Sequence, residues 1–467
     1  MRGIILATML MTLAGAAVRA STNNLGHYVR VSPRDSRYFE LDNGQPYIPI
    51  GLNLVSPLKG EMAIMADWCA KLAAQGGNFA RIRLDSAFFE IEHAKSGEYD
   101  AEKAKRTDEM LALARKHGLR VKLCIDGFRH IHETDAKKFG KPIHHVANGG
   151  LATNMTDWVN SPACRQRHKG KYDFLANRYG SDPIIFGWEL WNEMNCVAGG
   201  DVRDWTKEML AELHRRFPKN LCMQSLGSFD SNSQRPIYRD ICQMPGNDVA
   251  QIHRYLDLGA SLKVCHGPVD VLAAEAIREV RGYRTNKPIL LAESGGVEWQ
   301  HSGPWKYYDQ DTEGMILHDV LFAPFFAGAA GPGHFWHRDY VAKHDLWWHF
   351  GRFAQAVADL DPPAEAFEVQ KLDHPRLRIY VLRGKRTTLA WCRDKEATWQ
   401  TVQVEGRKPE TLHGLTVTLP APVDGGAAVT VSAYDPWTGE KNILKAAPAG
   451  ITLPDFSRSL VVRLRAE

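Results

Sequence analysis

A concentration of charge of either sign is missing from this chain of 467 residues: 58 Lys and Arg stand against 54 Asp and Glu, and no basic run breaks the mixture. A polyanion footprint needs such clustering, so nucleic acid is not an expected partner. Cys-x-x-Cys pairs are also missing, which removes zinc-ribbon and thioredoxin-like readings although eight cysteines are present. There is no helical His-Glu-x-x-His and no glycine fingerprint after the first apolar strand, so neither a zincin centre nor a dinucleotide fold is expected. Internal repeats and low-complexity tracts are absent as well. Beyond the first twenty residues, no stretch is apolar for long enough to span a bilayer.

What is there is ample apolar material. With 44% hydrophobic and 10% aromatic residues the chain can bury a real core, and its length suits two or three units or one large α/β barrel plus a smaller domain. Residues 1–20 read as an export signal: Arg2 begins it, residues 4–18 form its apolar core, and Val18-Arg19-Ala20 ends in a small residue that a peptidase accepts. Cleavage after Ala20 is expected, with the mature protein secreted or periplasmic and not attached to a membrane. An uncleaved anchor would need about 18–20 apolar residues, more than this stretch offers. Export permits disulfides, and the loop cysteines Cys164, Cys196, Cys242 and Cys265 are the better candidates, whereas Cys124 and Cys222 lie in strand-like apolar runs and suit buried thiols.

After the signal, residues 21–45 suit a hairpin with turns at Pro/Asp/Ser and Asp42-Asn43-Gly44. Short apolar runs then alternate with amphipathic stretches to about residue 362. Strands are placed at 48–53, 79–84, 120–125, 184–193, 222–225, 249–253, 288–293 and 333–336. Helices are placed at 62–74, 103–117, 162–178, 202–217, 269–281, 312–325 and 346–358. Eight strands with interposed helices predict an α/β fold, a (β/α)8 TIM barrel over 46–362. Asp361-Pro362-Pro363 breaks the pattern, and residues 363–467 show short alternating runs between turns, which predicts a C-terminal antiparallel β-sandwich. Apart from Trp399 and Trp437 that region has no aromatic row, so it is expected to brace the barrel rather than bind sugar.

Barrel enzymes carry their chemistry at the C-terminal ends of the strands, and two of the predicted strands end in glutamate. Gly187-Trp188-Glu189-Leu190-Trp191-Asn192-Glu193 closes the fourth, and Pro288-Ile289-Leu290-Leu291-Ala292-Glu293 the seventh. Carboxylates at the ends of apolar runs are partly desolvated, so a close pair can divide into one protonated and one ionised member. Glycoside cleavage needs that division: one acid protonates the leaving oxygen, and the other carboxylate, about 5–5.5 Å away, attacks the anomeric carbon. A single Glu at a strand end is more simply a cap or a surface charge. Strand alternation puts Glu189 on the same side as Glu193 but deeper, so Glu189 receives a structural role, with Arg81 or Arg83 as its partner.

In these motifs, over residues 46–360, the chain resembles the retaining glycoside hydrolases of clan A, most closely the family 5 cellulase and mannanase type. The resemblance implies Glu193 as acid/base, after Asn192, and Glu293 as nucleophile. Asn78-Phe79-Ala80-Arg81 resembles the family's Asn-x-x-Arg, His253-Arg254-Tyr255 its His-x-Tyr, and Trp336 its sugar-platform tryptophan on strand eight. Independently of the resemblance, Arg81 would favour an ionised carboxylate, Tyr255 can donate to Glu293, Asn192 can bond a sugar 2-hydroxyl, and Trp336 can lie against a pyranose face. Arg81, Asn192, His253, Tyr255 and Trp336 are therefore expected to contact substrate, although each alone also suits an ion pair, a core histidine or packing.

Histidines crowd two regions: 334, 337, 344 and 349 with Asp339, and 130, 132, 144 and 145 in a long loop spanning 128–160. Sugar hydroxyls suit them better than a metal, and neither metal nor cofactor is expected. Trp158, Trp299, Trp305, Tyr307 and Tyr308 are further subsite candidates. The expected activity is double-displacement hydrolysis of a β-linked mannan- or glucan-type polysaccharide or oligosaccharide. Exo-action on short oligosaccharides, or a carbohydrate-binding protein without catalysis, are the alternatives.

Overall fold

The computed structural model describes residues 24–127, 131, 142–197, 202–425, 429–447 and 450–467. The expected signal at 1–20 and His130 and His132 lie outside the described residues. Seven barrel strands run in order: Gly51–Val55, Phe79–Arg83, Arg120–Gly127, Ile185–Asn192, Leu221–Met223, Ala250–His253 and Ile289–Glu293. The first five pair in parallel, as do the sixth and seventh. The eighth position is shorter than expected from 333–336. It narrows to Phe335, which bridges in parallel to Leu52 of the first strand and to Ser294 after the seventh. The chain is therefore a (β/α)8 barrel followed by a C-terminal antiparallel sheet region.

The strands are buried along their length because helices cover the outside and side chains fill the inside, the ordinary situation of a parallel sheet. Helix ends follow local chemistry. Asp100 caps Ala101–His117 by accepting from the Lys103 amide at 2.8 Å, and Gly118 ends it at φ 72°. Arg235–Gln243, after the fifth strand, is a helix that the sequence pattern did not single out. A three-stranded antiparallel sheet, Val29–Val31, Phe39–Leu41 and Pro46–Tyr47, lies at the barrel's N-terminal end. There Phe39, Tyr47 and Phe79 surround Phe186, and His334 stacks on Phe79 with ring centroids 4.2 Å apart.

The C-terminal region contains a six-stranded antiparallel sheet in the spatial order Glu368–Asp373, Leu377–Arg383, Thr387–Asp394, Ser459–Ala466, Val429–Tyr434, Lys441–Leu444. Alternation gives it two faces. Tyr380, Leu382, Leu389 and Trp391 join the barrel core, while Ile379, Val381, Ala390 and Cys392 build a second core beneath short strands at Thr411–Leu412, Thr416–Val417 and Gly450–Thr452. Between barrel and sheet lies the helix Met315–Phe326, buried at every residue and apolar but for His318 and Asp319, which have polar partners in the sheet. The two layers are tied by buried ion pairs. Arg393 Nε donates to Asp319 at 2.7 Å, Arg378 clasps Asp270 with both Nε and a terminal nitrogen, and Tyr380 donates to Asp270 at 2.9 Å. Trp399 donates to the Gly267 carbonyl at 3.0 Å, and Trp437 packs against His318.

All eight cysteines are free thiols. The disulfide candidates are corrected accordingly: Cys164, Cys242 and Cys265 are buried within the barrel core, and Cys196 alone is exposed.

Candidate active site

Glu189 and Glu293 end up around one guanidinium. Arg81, on the second strand, is fully buried. Its Nε and one terminal nitrogen donate to Glu189 at 2.9 and 2.6 Å, that same terminal nitrogen reaches Asn192 Oδ1 at 2.6 Å, and the other donates to Glu293 and to Asn53 Oδ1. Glu189 also accepts from Ser225 Oγ at 2.5 Å and faces the Lys122 ammonium at 3.0 Å. Burial alone would raise the Glu189 pKa. The charges of Arg81 and Lys122 outweigh burial and hold it far below the ordinary carboxylate range. With its oxygens saturated and no exposed surface, Glu189 is a structural anion, as expected.

Strand alternation, however, is not what brings Glu193 into the site. Trp188 and Trp191 both pack outward, on Phe217 and on His168 and Trp205, whereas Glu189 and Asn192 both reach Arg81 inside the barrel. The period of two therefore fails between Glu189 and Asn192, and Glu193 follows with a left-handed backbone, φ 55°. Its amide is held by Ser225 Oγ at 3.2 Å. On the opposite wall, the pairing of the sixth and seventh strands slips between Leu291 and Glu293, placing Glu293 beside His253. Such irregularities re-aim side chains at the rims of barrels.

His253 sits between the two carboxylates. Its Nδ1 lies 2.8 Å from Glu193 Oε1 and 3.5 Å from Glu293 Oε2. One oxygen of each glutamate and this nitrogen all fall within 4.8 Å of one another. Tyr255 donates to Glu293 Oε2 at 2.8 Å. Burial pushes the Glu293 pKa up, but His253, Arg81, Arg83 and the Tyr255 hydroxyl together bring it below the ordinary value. A carboxylate kept ionised thus faces a second carboxyl group at a spacing suited to retaining glycoside chemistry. Glu193, His253 and Glu293 also form a donor set of the kind a metal uses, but Arg81 already supplies Glu293 with a positive partner.

Both glutamates open into a cavity of about 710 Å³ that also takes in Asn192, Tyr255, Trp305, Tyr308 and Trp336. Of the residues expected to contact substrate, Asn192, Tyr255 and Trp336 line this cavity. Arg81 and His253 are fully buried and lie beneath the carboxylates, outside the lining of the cavity. Among the aromatic candidates, Trp305 and Tyr308 reach the cavity. Trp158 is buried against His144, and Trp299 is 61% exposed and not part of the cavity's lining. The histidines after strand eight do not converge on a point. His334 donates toward the barrel's far end, His349 bonds the Glu313 carbonyl, and only His337 and His344 line the cavity. Burial lowers the His337 pKa to about 3, with Arg338 and His301 adding to the effect, so its ring is neutral where it meets Tyr308 at 3.0 Å.

Sequence reasoning missed several supports. Asn53 donates to the Ala292 and His334 carbonyls at 3.0 Å, tying the first strand to the seventh and eighth. Ser225 and Lys122 complete the Glu189 shell. Their signal was position alone: Asn53 and Ser225 fall at or just past strand ends, where barrel side chains converge.

A profile of the cellulase family (glycosyl hydrolase family 5) matches residues 42–319. Over 348 residues the chain is 25% identical to mannan endo-1,4-beta-mannosidase 3 of Oryza sativa subsp. japonica, covering 65% of this chain and 71% of that protein. It is 28% identical to mannan endo-1,4-beta-mannosidase 2 of Arabidopsis thaliana over 149 residues, spanning only 33% of that relative. A solved glycoside hydrolase superimposes with a TM-score of 0.63 at 13% identity, over 95% of this chain and 97% of the other. That likeness bears on the fold and extends through the C-terminal sheet region.

Proposed function

The chain belongs to glycosyl hydrolase family 5, whose members are retaining glycosidases, and on that premise we propose that it cleaves β-linked mannan-type chains with Glu293 as nucleophile and Glu193 as acid/base. The observation that carries this reading is the approach of Glu193 and Glu293 to within 4.8 Å around His253, at the floor of an aromatic-walled cavity. The names of the plant relatives supply the sugar: each is a mannan endo-1,4-beta-mannosidase.

In this mechanism Glu193 gives its proton to the glycosidic oxygen as Glu293 attacks the anomeric carbon and the carbon–oxygen bond breaks. Glu193, now ionised, takes a proton from water, which displaces Glu293 and restores the starting β configuration. Arg81 and Tyr255 hold Glu293 ionised and oriented, since both donate to its oxygens. Asn192 Oδ1 is engaged by Arg81, which turns its amide nitrogen toward a sugar hydroxyl in the cavity. Trp336 offers a flat apolar face to the sugar. Export through residues 1–20 belongs to the same proposal and predicts a mature N-terminus at Ser21.

The test combines products with chemical rescue. Purified protein is assayed on β-1,4-mannan, β-1,4-glucan and aryl β-mannosides, with product size and anomeric configuration recorded. Release of β-configured products from mannan is expected. Glu293→Ala is expected to lose about 10⁴-fold or more in kcat, and azide should restore turnover with an inverted glycosyl azide. Glu193→Ala should keep activity on aryl glycosides with good leaving groups, and azide should yield the retained product. Inverted hydrolysis products, or an active Glu293→Ala, would overturn the assignment.

A further inference from the structure

Among the described residues, Arg338 on the cavity wall has no adequate partner. Arg338 follows Trp336 by two residues and lines the same cavity as the two glutamates. Its side chain is only 15% exposed, and its Nε is buried without a hydrogen-bond partner among the described residues. Among the described residues the acidic group that approaches it is Asp339, whose oxygen lies 3.8 Å from Nε, beyond hydrogen-bond range, on a side chain that is 60% exposed. The guanidinium stands about 6.0 Å from the centre of the Trp68 ring, which contributes at the limit of a cation–π contact.

A second guanidinium faces the same space. Arg83, on the second strand, lines the cavity with its Nε and a terminal nitrogen on Asp85 at 2.8 and 2.5 Å. Burial lowers the Arg338 pKa, and Arg83 pushes it further down against the pull of Asp339, as expected of like charges near each other. Leaving a buried guanidinium N–H unmatched costs free energy, and such groups in a cleft call for an explanation. An anion entering the cavity supplies one.

Position says which sugar would carry that anion. Glu193, on the fourth strand, protonates the leaving oxygen, so the departing sugar lies on its side. Trp336 and Arg338 follow the eighth strand, four strands round the barrel from the fourth, so the side they border is the one left for the glycone. We propose that Arg338, with Arg83 beside it, forms a subsite for an anionic substituent, a carboxylate or a sulfate, on the glycone of the substrate. This deepens the glycosidase reading and rests on it. Guanidinium suits both groups because it offers several N–H donors in one plane.

The test uses β-1,4-mannotetraose in three forms: neutral, with C6 carboxylates, and with C6 sulfates at its non-reducing end. The wild-type protein is expected to favour one acidic form in kcat/KM by about tenfold or more, the range a hydrogen bond to a charged group supports. In Arg338→Gln the acidic-to-neutral ratio should fall by at least about tenfold, and Arg338→Lys should retain part of it, with the preference weakening in high salt. Which acidic form is favoured distinguishes carboxylate from sulfate. Equal handling of neutral and acidic forms by the wild type, or a ratio unmoved by Arg338→Gln, overturns the proposal. Calorimetric binding of the three forms to Glu293→Ala reads the subsite without turnover. If no form is hydrolysed by the wild type, the glycosidase reading on mannan fails, and the binding preference still decides this inference.

Discussion

At the scale of single residues, the surroundings of Glu293 hold its carboxyl below the ordinary carboxylate value. Tyr255 contributes a hydrogen bond to the ionised form of Glu293. The acid limb of kcat/KM, set by ionisation of the nucleophile, should lie below the ordinary Glu value, and Tyr255→Phe should move it upward while lowering kcat/KM by about 10- to 100-fold. A pH–rate profile of both proteins reads this. The depressed pKa of Glu293 also adds stability above the unfolded-state value, which is lost as pH falls through the folded-state value. Arg81 is the residue the site can least do without, because Glu189 and Glu293 both depend on its charge. Arg81→Met should lose about 3–5 kcal/mol of unfolding free energy, measured by denaturant titration. The additional substitution Glu189→Gln should recover part of that loss.

At the scale of elements, the barrel closes only where backbones come close. A Cβ added at Gly51 would lie 1.7 Å from the Phe79 carbonyl oxygen on the neighbouring strand. Gly51→Ala should therefore prevent the first two strands from pairing and leave little soluble protein. Gly118, by contrast, only ends a helix in the left-handed region at φ 72°, and Gly118→Ala should cost about 1–2 kcal/mol with activity retained. Thermal melts of the two variants separate the effects. Most elements were legible because their apolar runs are fully buried and their caps are local: the helices expected at 62–74 and 269–281 lie within a residue of Met62–Ala74 and Val269–Gly282. Arg235–Gln243 was missed because its start, after Ser231 and Asn232, reads as loop chemistry. The eighth strand was overestimated because Gly333 and His334 are buried by neighbours without forming a ladder.

At the scale of the molecule, the C-terminal sheet is a wall of the barrel rather than an appendage. Asp319 sits on the buried helix Met315–Phe326 and is matched by Arg393 from the sheet. Arg393→Met should destabilise the whole protein by about 3–5 kcal/mol, because it leaves a buried carboxylate without its cation. The double variant Arg393→Met/Asp319→Leu should recover most of that, and both should still unfold in one calorimetric transition spanning barrel and sheet. Two separated transitions would show instead that the units are independent. The two tryptophans that stand out in the sequence of this region are taken up by the packing: Trp399 is buried in this interface and Trp437 packs into it.

The linear order of residues was enough to determine the barrel and the sheet that follows it, and to single out two glutamates at strand ends, because hydrophobic period, turn residues and strand-end acids are local signals that survive without knowledge of neighbours. Tertiary structure alone decided how Glu193 turns into the cavity, since a left-handed backbone and a broken alternation are set by what the fourth strand packs against on each side. It also decided that Arg81 and His253 lie under the carboxylates and that Arg338 faces open space. Those outcomes depend on distances between segments far apart in the chain, where charge and burial are settled only once the barrel has closed.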